Sequence, residues 1–164
     1  MLVKSARSLS RAHGFTLMEA LVVMSIIAIV VAIGAPNLTF LIASMNARSA
    51  SFDLVADLAL ARSEAIKRNR AVTVAAVGGN WSQGWQITTT TGAGVDVTLR
   101  ERGALPSALG VTSAAASLQF GANGRIGPDT APGNMSWAIT SSNAGPRCVV
   151  ITPTGSARSK MGAC

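Results

Sequence analysis

The sequence predicts an α+β fold in which one long N-terminal helix packs on antiparallel β-sheet. Three observations carry the prediction. No charged residue occurs between Glu19 and Arg48, and apolar residues then recur at helical spacing as far as Arg68. Beyond Arg70 the period changes to short β-branched or alternating runs separated by Gly- and Asn-rich turn signals. One helix followed by consecutive strands is the pattern of a layered α+β domain. At 164 residues the chain has room for one modest core. Only 13% of residues are charged, 49% are hydrophobic and the mean hydropathy is +0.40, so part of the chain is composed to avoid water. Disorder over the whole length is excluded by the same figures.

Residues 1–14 carry Lys4, Arg7 and Arg11 and no acid. From Phe15 to Ala35 the chain is apolar for 21 residues, about 31 Å as a helix, which matches a hydrocarbon core of roughly 30 Å. Basic residues just before the span place the N-terminus in the cytoplasm and the remainder outside. A cleaved secretory signal would have a shorter apolar region and a small-residue cleavage site; Ala32-Gly34-Ala35 is a poor match. Glu19 is out of place in such a span, since a carboxylate costs about 2.5–3.5 kcal/mol at mid-bilayer and less near the interface.

Pro36 reads either as the end of the helix or as a kink within a longer one. Apolar periodicity resumes at once: Leu38, Leu41, Met45, Phe52, Val55, Ala59 and Ile66 share one face, the face expected to meet the sheet. The expected helix is therefore long and kinked, from Phe15 to Arg68. Asn69 suits a left-handed cap, and Lys67 and Arg68 suit a helix C-terminus. Asp53, Asp57 and Glu64 are expected to form solvated pairs along the helix with Arg62, Lys67 and Arg68. Strands are expected at 71–77, 84–90, 95–102, 117–120, 135–140 and 148–152. The Ser/Ala/Gly-rich stretch 103–116 and residues 127–134 read as loops.

Gly14, the run Phe15-Thr16-Leu17-Met18-Glu19 and the apolar stretch to Ile33 together resemble the type IV pilin and pseudopilin superfamily. The resemblance implies a type IV pilin fold. It also implies a prepilin peptidase that cuts between Gly14 and Phe15 and methylates the Phe15 amine. Glu19 would then pair with the free amine of a neighbouring subunit, which compensates an otherwise stranded charge. Trp81-Ser82-Gln83-Gly84-Trp85 and Phe120-Gly121-Ala122-Asn123-Gly124-Arg125 resemble the W-x-x-G-W and F-x-x-x-G-R motifs of the H-type pseudopilins and FimT-like minor pilins. Physically these are core tryptophans flanking a glycine bend and an Asn-Gly turn. The implied organisation is a leader at 1–14, a transmembrane or filament-core helix at 15–36, an amphipathic continuation at 37–70 and a β-rich globular domain at 71–164.

The span topology puts Cys148 and Cys164 in an oxidising compartment, where a disulfide of about 3 kcal/mol is favoured over two free thiols. Two cysteines with no histidine beyond His13 of the leader make a poor metal site. No phosphate loop, nucleophile elbow or H-E-x-x-H motif occurs, so the sequence predicts no enzyme, no cofactor and no small-molecule substrate. Without the leader, eleven basic residues face seven acidic ones, net +4. Arg147, Arg158 and Lys160 are followed and preceded by no acid after Asp129. In FimT-like pilins a C-terminal G-R-x-R motif beside a disulfide contacts DNA during uptake. The corresponding stretch here is Gly155-Ser156-Ala157-Arg158-Ser159-Lys160, in which Ser156 replaces the first arginine and Lys160 supplies only a point charge.

The expected function is thus that of a minor pilin or pseudopilin in the inner membrane, its globular part periplasmic, whose partners are other pilin subunits and prepilin peptidase. Double-stranded DNA is a candidate partner through Arg147, Arg158, Lys160, Lys67 and Arg68; the alternative for these cations is a solvated basic rim. The alternatives for the whole protein are a structural tip pseudopilin of type II secretion and a signal-anchored domain that never polymerises.

Overall fold

The structure, a computed structural model, describes residues 15–127 and 134–164. Gly14 and the rest of the leader lie outside the described residues, as does most of the stretch expected to be a loop at 127–134. Its contacts divide the chain into two compact units, Met1–Leu38 and Thr39–Cys164. Helix α1, Leu17–Arg68, runs through Pro36 and contributes to both.

In the first unit every described side chain from Phe15 to Ala35 is exposed, although nearly all are apolar. The helix is long and apolar enough to cross a membrane, with a mean hydropathy of 2.6 over its most apolar stretch. Thr16 starts it: its hydroxyl accepts a hydrogen bond from the Glu19 backbone N–H at 3.2 Å, the donor arm of a capping box. The Glu19 carboxylate has no partner among the described residues.

At the other end α1 stops as expected. Asn69 takes φ +50°, Arg70 N–H donates to the Ala65 carbonyl and Asn69 N–H to that of Ile66. This Schellman arrangement satisfies the last carbonyls and turns the chain into the first strand.

The second unit contains two four-stranded antiparallel sheets. Strands β1 (Val72–Ala76), β2 (Trp85–Thr90), β3 (Asp96–Arg102) and β5 (Ser117–Phe120) form the first, in the order β3-β2-β1-β5. Strands β4 (Leu109–Ser113), β6 (Met135–Ser141), β7 (Ala144–Ile151) and β8 (Ala157–Met161) form the second, in the order β4-β6-β7-β8. Three strands depart from expectation: β4 lies in the supposed loop 103–116, β7 begins at Ala144 and not at residue 148, and β8 makes an ordered edge strand of the C-terminal tail.

One core joins the helix and both sheets. From α1 it takes Ala47, Ala50, Leu54, Leu58, Ala61 and Ala65, all essentially inaccessible. This corrects the expected face. Leu41, Met45, Phe52, Ala59 and Ile66 are exposed and Val55 only partly covered. The physical reason is space. Trp81, Trp85, Trp137 and Phe120 already fill the volume opposite the helix, so its backbone approaches closely and only small side chains fit at most of the contacts. Trp81 lies edge-on to Trp137, with centroids 5.3 Å apart, and its indole N–H donates to the Ala115 carbonyl at 2.9 Å.

The W-x-x-G-W motif is explained by its glycine. Gly84 adopts φ +98°, and a Cβ there would run into the carbonyl oxygens of Arg102 and Gly103. Only glycine lets β2 leave the short helical turn at Trp81–Gln83 so close to the end of β3.

Candidate functional site

The ion pairs decide which basic residues are available to a ligand. Arg100 and Arg102 sit opposite Ile87 and Trp85 in the β2–β3 ladder, so alternation points them at the helix. There they meet Asp57, whose side chain is 1% exposed: Arg100 Nε lies 3.1 Å from Oδ1 and Arg102 Nη2 3.5 Å from Oδ2. The Trp85 indole N–H donates to Oδ2 at 2.9 Å. The Arg100 contact is a charge contact without hydrogen-bond alignment, which leaves Oδ1 otherwise unpartnered. Asp53 adds a rim contact to Arg102 at 3.3 Å. Asp57 is therefore not the solvated helix residue the sequence suggests. It is a buried carboxylate that ties α1 to the first sheet.

Glu64 takes Lys67 and Arg68. Arg68 Nε donates to Oε2 at 2.6 Å, and Lys67 Nζ lies 3.8 Å from Oε1. The hydrogen bond from Arg68, helped by both positive charges, holds the Glu64 carboxyl below its ordinary value. Lys67 and Arg68, expected as DNA contacts, are thus partly neutralised within their own helix turn.

The remaining expected cations are unpaired but do not form one cluster. In the β7–β8 ladder Val150 faces Arg158 and Cys148 faces Lys160, so these two cations project from one face of an edge strand. Both are exposed and neither has an ion-pair partner among the described residues. Arg147 alternates onto the other face, opposite Ile139 and Met161. It lines a groove of about 630 Å³ with Phe40, Leu41, Met45 and Arg48 of α1. The sheet thus puts Arg147 on the opposite face from Arg158 and Lys160.

Cys148 and Cys164 form a disulfide. It anchors the chain after β8 to the face that carries Lys160, and it leaves no free cysteine among the described residues. Among these residues no group of His, Cys, Asp or Glu side chains could hold a metal ion.

Two turns meet beside the start of β8. In residues 121–125, Gly121 N–H donates to the Arg125 carbonyl and Arg125 N–H to the Asn123 side chain. In residues 152–156, Gly155 N–H donates to the Thr152 carbonyl and Thr152 N–H to that of Ser156. Ile126 N–H reaches the Pro153 carbonyl at 3.2 Å and joins the two. Exposed Arg125 and half-covered Arg62 of α1 come to this place as well. Sequence reasoning assigned Arg62 to a helix ion pair that does not form, and treated Arg125 only as part of a turn.

Residues 50–155 match the family described as type II transport protein GspH, which is more than half of the chain. The chain belongs to the GspH family. Residues 9–35 of this GspH-family protein match the prokaryotic N-terminal methylation motif. The fold is similar to two crystal structures of the type IV minor pilin FimU from Pseudomonas aeruginosa. One is 29% identical, with a TM-score of 0.56 over 70% of this chain and 86% of FimU. The other is 28% identical, with a TM-score of 0.55 over 70% and 90%. No match was found among curated proteins. The type IV pilin fold expected from the sequence is the fold observed. The protein is a minor pilin or pseudopilin of a type IV pilus or type II secretion filament, a structural family rather than an enzyme family.

Proposed function

We propose that this protein is a DNA-contacting minor pilin whose β8 edge touches the nucleic-acid backbone. In this reading prepilin peptidase cleaves between Gly14 and Phe15 and methylates the Phe15 amine. Helix 15–36 then holds the subunit in the inner membrane, N-terminus cytoplasmic and β-rich part periplasmic, until it is drawn into a filament. Support for assembly comes from the uncovered apolar side chains of α1 and from Glu19, which has a capped backbone and a carboxylate with no partner among the described residues.

The observation that carries the DNA reading is the distribution of ion pairs. Asp53, Asp57 and Glu64 engage Arg100, Arg102, Lys67 and Arg68. Arg158 and Lys160 stay unpaired on one face of an ordered edge strand, pre-positioned for phosphates. Binding of this kind is weak, indifferent to base sequence and salt-sensitive, since no described element offers a recognition helix or a row of exposed aromatic rings.

The test is a mobility-shift titration of full-length mature protein in uncharged detergent micelles against duplexes of unrelated sequence at several salt concentrations. With two or three phosphates engaged, log affinity falls against log salt with a slope of about −2 to −3. Arg158→Gln weakens all duplexes alike and flattens the slope by about one. Undetectable binding at low salt rejects the reading. A second reading, a tip pseudopilin with a purely structural role in protein secretion, is favoured by the description of the matching family as type II transport protein. It takes over if DNA binding is absent.

A further inference from the structure

We propose that Arg62 is an anchor for a DNA backbone phosphate, held in the recess between α1 and the β7–β8 turn. The proposal rests on the DNA reading above and assigns that interface a residue on a different element.

Arg62 stands apart from the other basic residues of the last two turns of the helix. Lys67 and Arg68 share Glu64, but Arg62 has no ion pair among the described residues. Its Nε is shielded from solvent and has no hydrogen-bond partner. A shielded donor on a permanent cation is costly to leave unmade, which marks the group as one that waits for an acceptor.

The surroundings hold it in place. Gly124 and Gly155 adopt φ +70° and +81°, and a Cβ on either would come within 3.3 and 3.1 Å of Arg62 Nε. The two turns therefore close directly onto the guanidinium stem, and side chains at these glycines would push it out. A cation immobilised in this way has less entropy to lose when an anion binds.

The open side is suited to a phosphate. A recess of about 390 Å³ is lined by Arg62, Ser63, Ile66, Gly155, Ser156 and neighbouring alanines, with no carboxylate among them. The Ser156 hydroxyl makes no hydrogen bond among the described residues, so it is free to donate. Arg125, which directly follows Gly124, is exposed beside it, while Arg158 projects from the opposite face of β8 to the recess-lining Ala157. A diester phosphate seated on Arg62 would accept from its planar fork and from Ser156, while exposed Arg125 meets an adjacent phosphate.

The test uses full-length mature protein in uncharged detergent micelles, with fluorescence anisotropy on two duplexes of unrelated sequence across a salt series. Arg62→Gln is expected to raise Kd about five- to tenfold for both duplexes and to flatten the log–log salt slope by about 0.9. Arg62→Lys is expected to keep the slope but still weaken binding, because it retains charge and loses the fork. In ¹⁵N-labelled wild type, the resonance absent from the Arg62→Gln spectrum identifies the Arg62 Nε–H, and it is expected to shift on adding DNA. If Arg158→Gln weakens binding while Arg62→Gln does not, or if the Nε–H resonance stays put in saturated wild type, the proposal is overturned and the DNA reading stands. If wild type does not bind either duplex, the DNA reading itself fails. Melting curves of each variant check folding, and the wild-type resonance decides the matter should Arg62→Gln prove unstable.

Discussion

Removing the Asp57 carboxylate tests how the helix is fastened to the first sheet. In Asp57→Ala the Trp85 indole N–H, buried with its ring, loses an ionised acceptor at 2.9 Å. Hydrogen bonds to charged groups contribute about 1.5–3 kcal/mol. Breaking a fully buried ion pair costs about 3–5 kcal/mol, but Arg100 and Arg102 are 49% and 30% exposed and can turn to water, so only part of that applies. The expected loss is about 2–3 kcal/mol. The unit Thr39–Cys164 has 126 residues. At about 2.1 cal/mol/K per residue, its unfolding entropy is about 0.26 kcal/mol/K, which converts the loss to roughly 8–11 °C in Tm. Asp57→Asn retains an oxygen for Trp85 and falls in between. Asp53→Ala removes only a rim contact of a carboxylate that is 38% exposed and should cost less than about 1 kcal/mol. Thermal melts of the full chain in detergent, followed by tryptophan emission, give all three values. An Asp57→Ala shift under 3 °C, or one matched by Asp53→Ala, would refute the buried-clamp account.

Other perturbations follow from single observations. Gly84→Ala forces a Cβ into the Arg102 and Gly103 carbonyls at φ +98° and should cost at least about 2–3 kcal/mol, seen as a lower Tm or loss of folded protein. Cys148→Ser with Cys164→Ser opens a link spanning 16 residues and should cost up to about 3 kcal/mol, measured against the oxidised wild type. For Glu64 the folded carboxyl titrates below its ordinary 4.5 because Arg68 bonds its charged form. That contribution is present above the unfolded value and is lost as pH falls through the folded one, so acid should loosen the last turn of α1. Carboxyl ¹³C titration should show Glu64 returning toward 4.5 in Arg68→Gln; an unchanged midpoint would contradict the assignment.

Much of the β-rich unit was legible because its signals are local. The turn glycines, Asn69 and the alternating runs at β1, β2, β3, β6 and β7 each state their own structure within a few residues. Strands β4 and β8 were not legible for opposite reasons. β4 (Leu109-Gly110-Val111-Thr112-Ser113) is short and embedded in Ser/Ala/Gly-rich chain whose composition reads as loop. β8 (Ala157-Arg158-Ser159-Lys160-Met161) is an edge strand with little to bury and with the charges that keep an edge from pairing further, so it lacks an apolar alternation. The Asp57 clamp was hidden because its partners lie on β3, 43 and 45 residues away, while Arg62 and Glu64 stand close by on the same helix. Helix spacing proposes near neighbours first, and here a sheet outcompeted them. Arg62 is the counterpart: freed from the expected pair, it meets two turns, at 121–125 and 152–156, that are far apart in sequence.

The helix carries the deeper lesson. Two apolar stripes are written on it: large residues at Leu41, Met45, Phe52 and Ile66, and mostly small ones at Ala43, Ala47, Ala50, Leu54, Leu58, Ala61 and Ala65. Buried area ranks the large stripe first, because each large side chain removes more surface from water. That ranking assumes an empty space for the helix to fill. Here the sheets bring three tryptophans and Phe120 into the same volume, so close approach of the backbone contributes more than side-chain bulk, and the alanine stripe goes inside. The large stripe is then left uncovered on an isolated subunit, at Leu41, Met45, Phe52 and Ile66, each at least half exposed. Soluble monomers rarely expose so much apolar surface along one element. In a family of filament subunits that surface need not be satisfied within the chain, and the pattern that misdirects the prediction of the core is the one that marks a protein made to be covered by its neighbours.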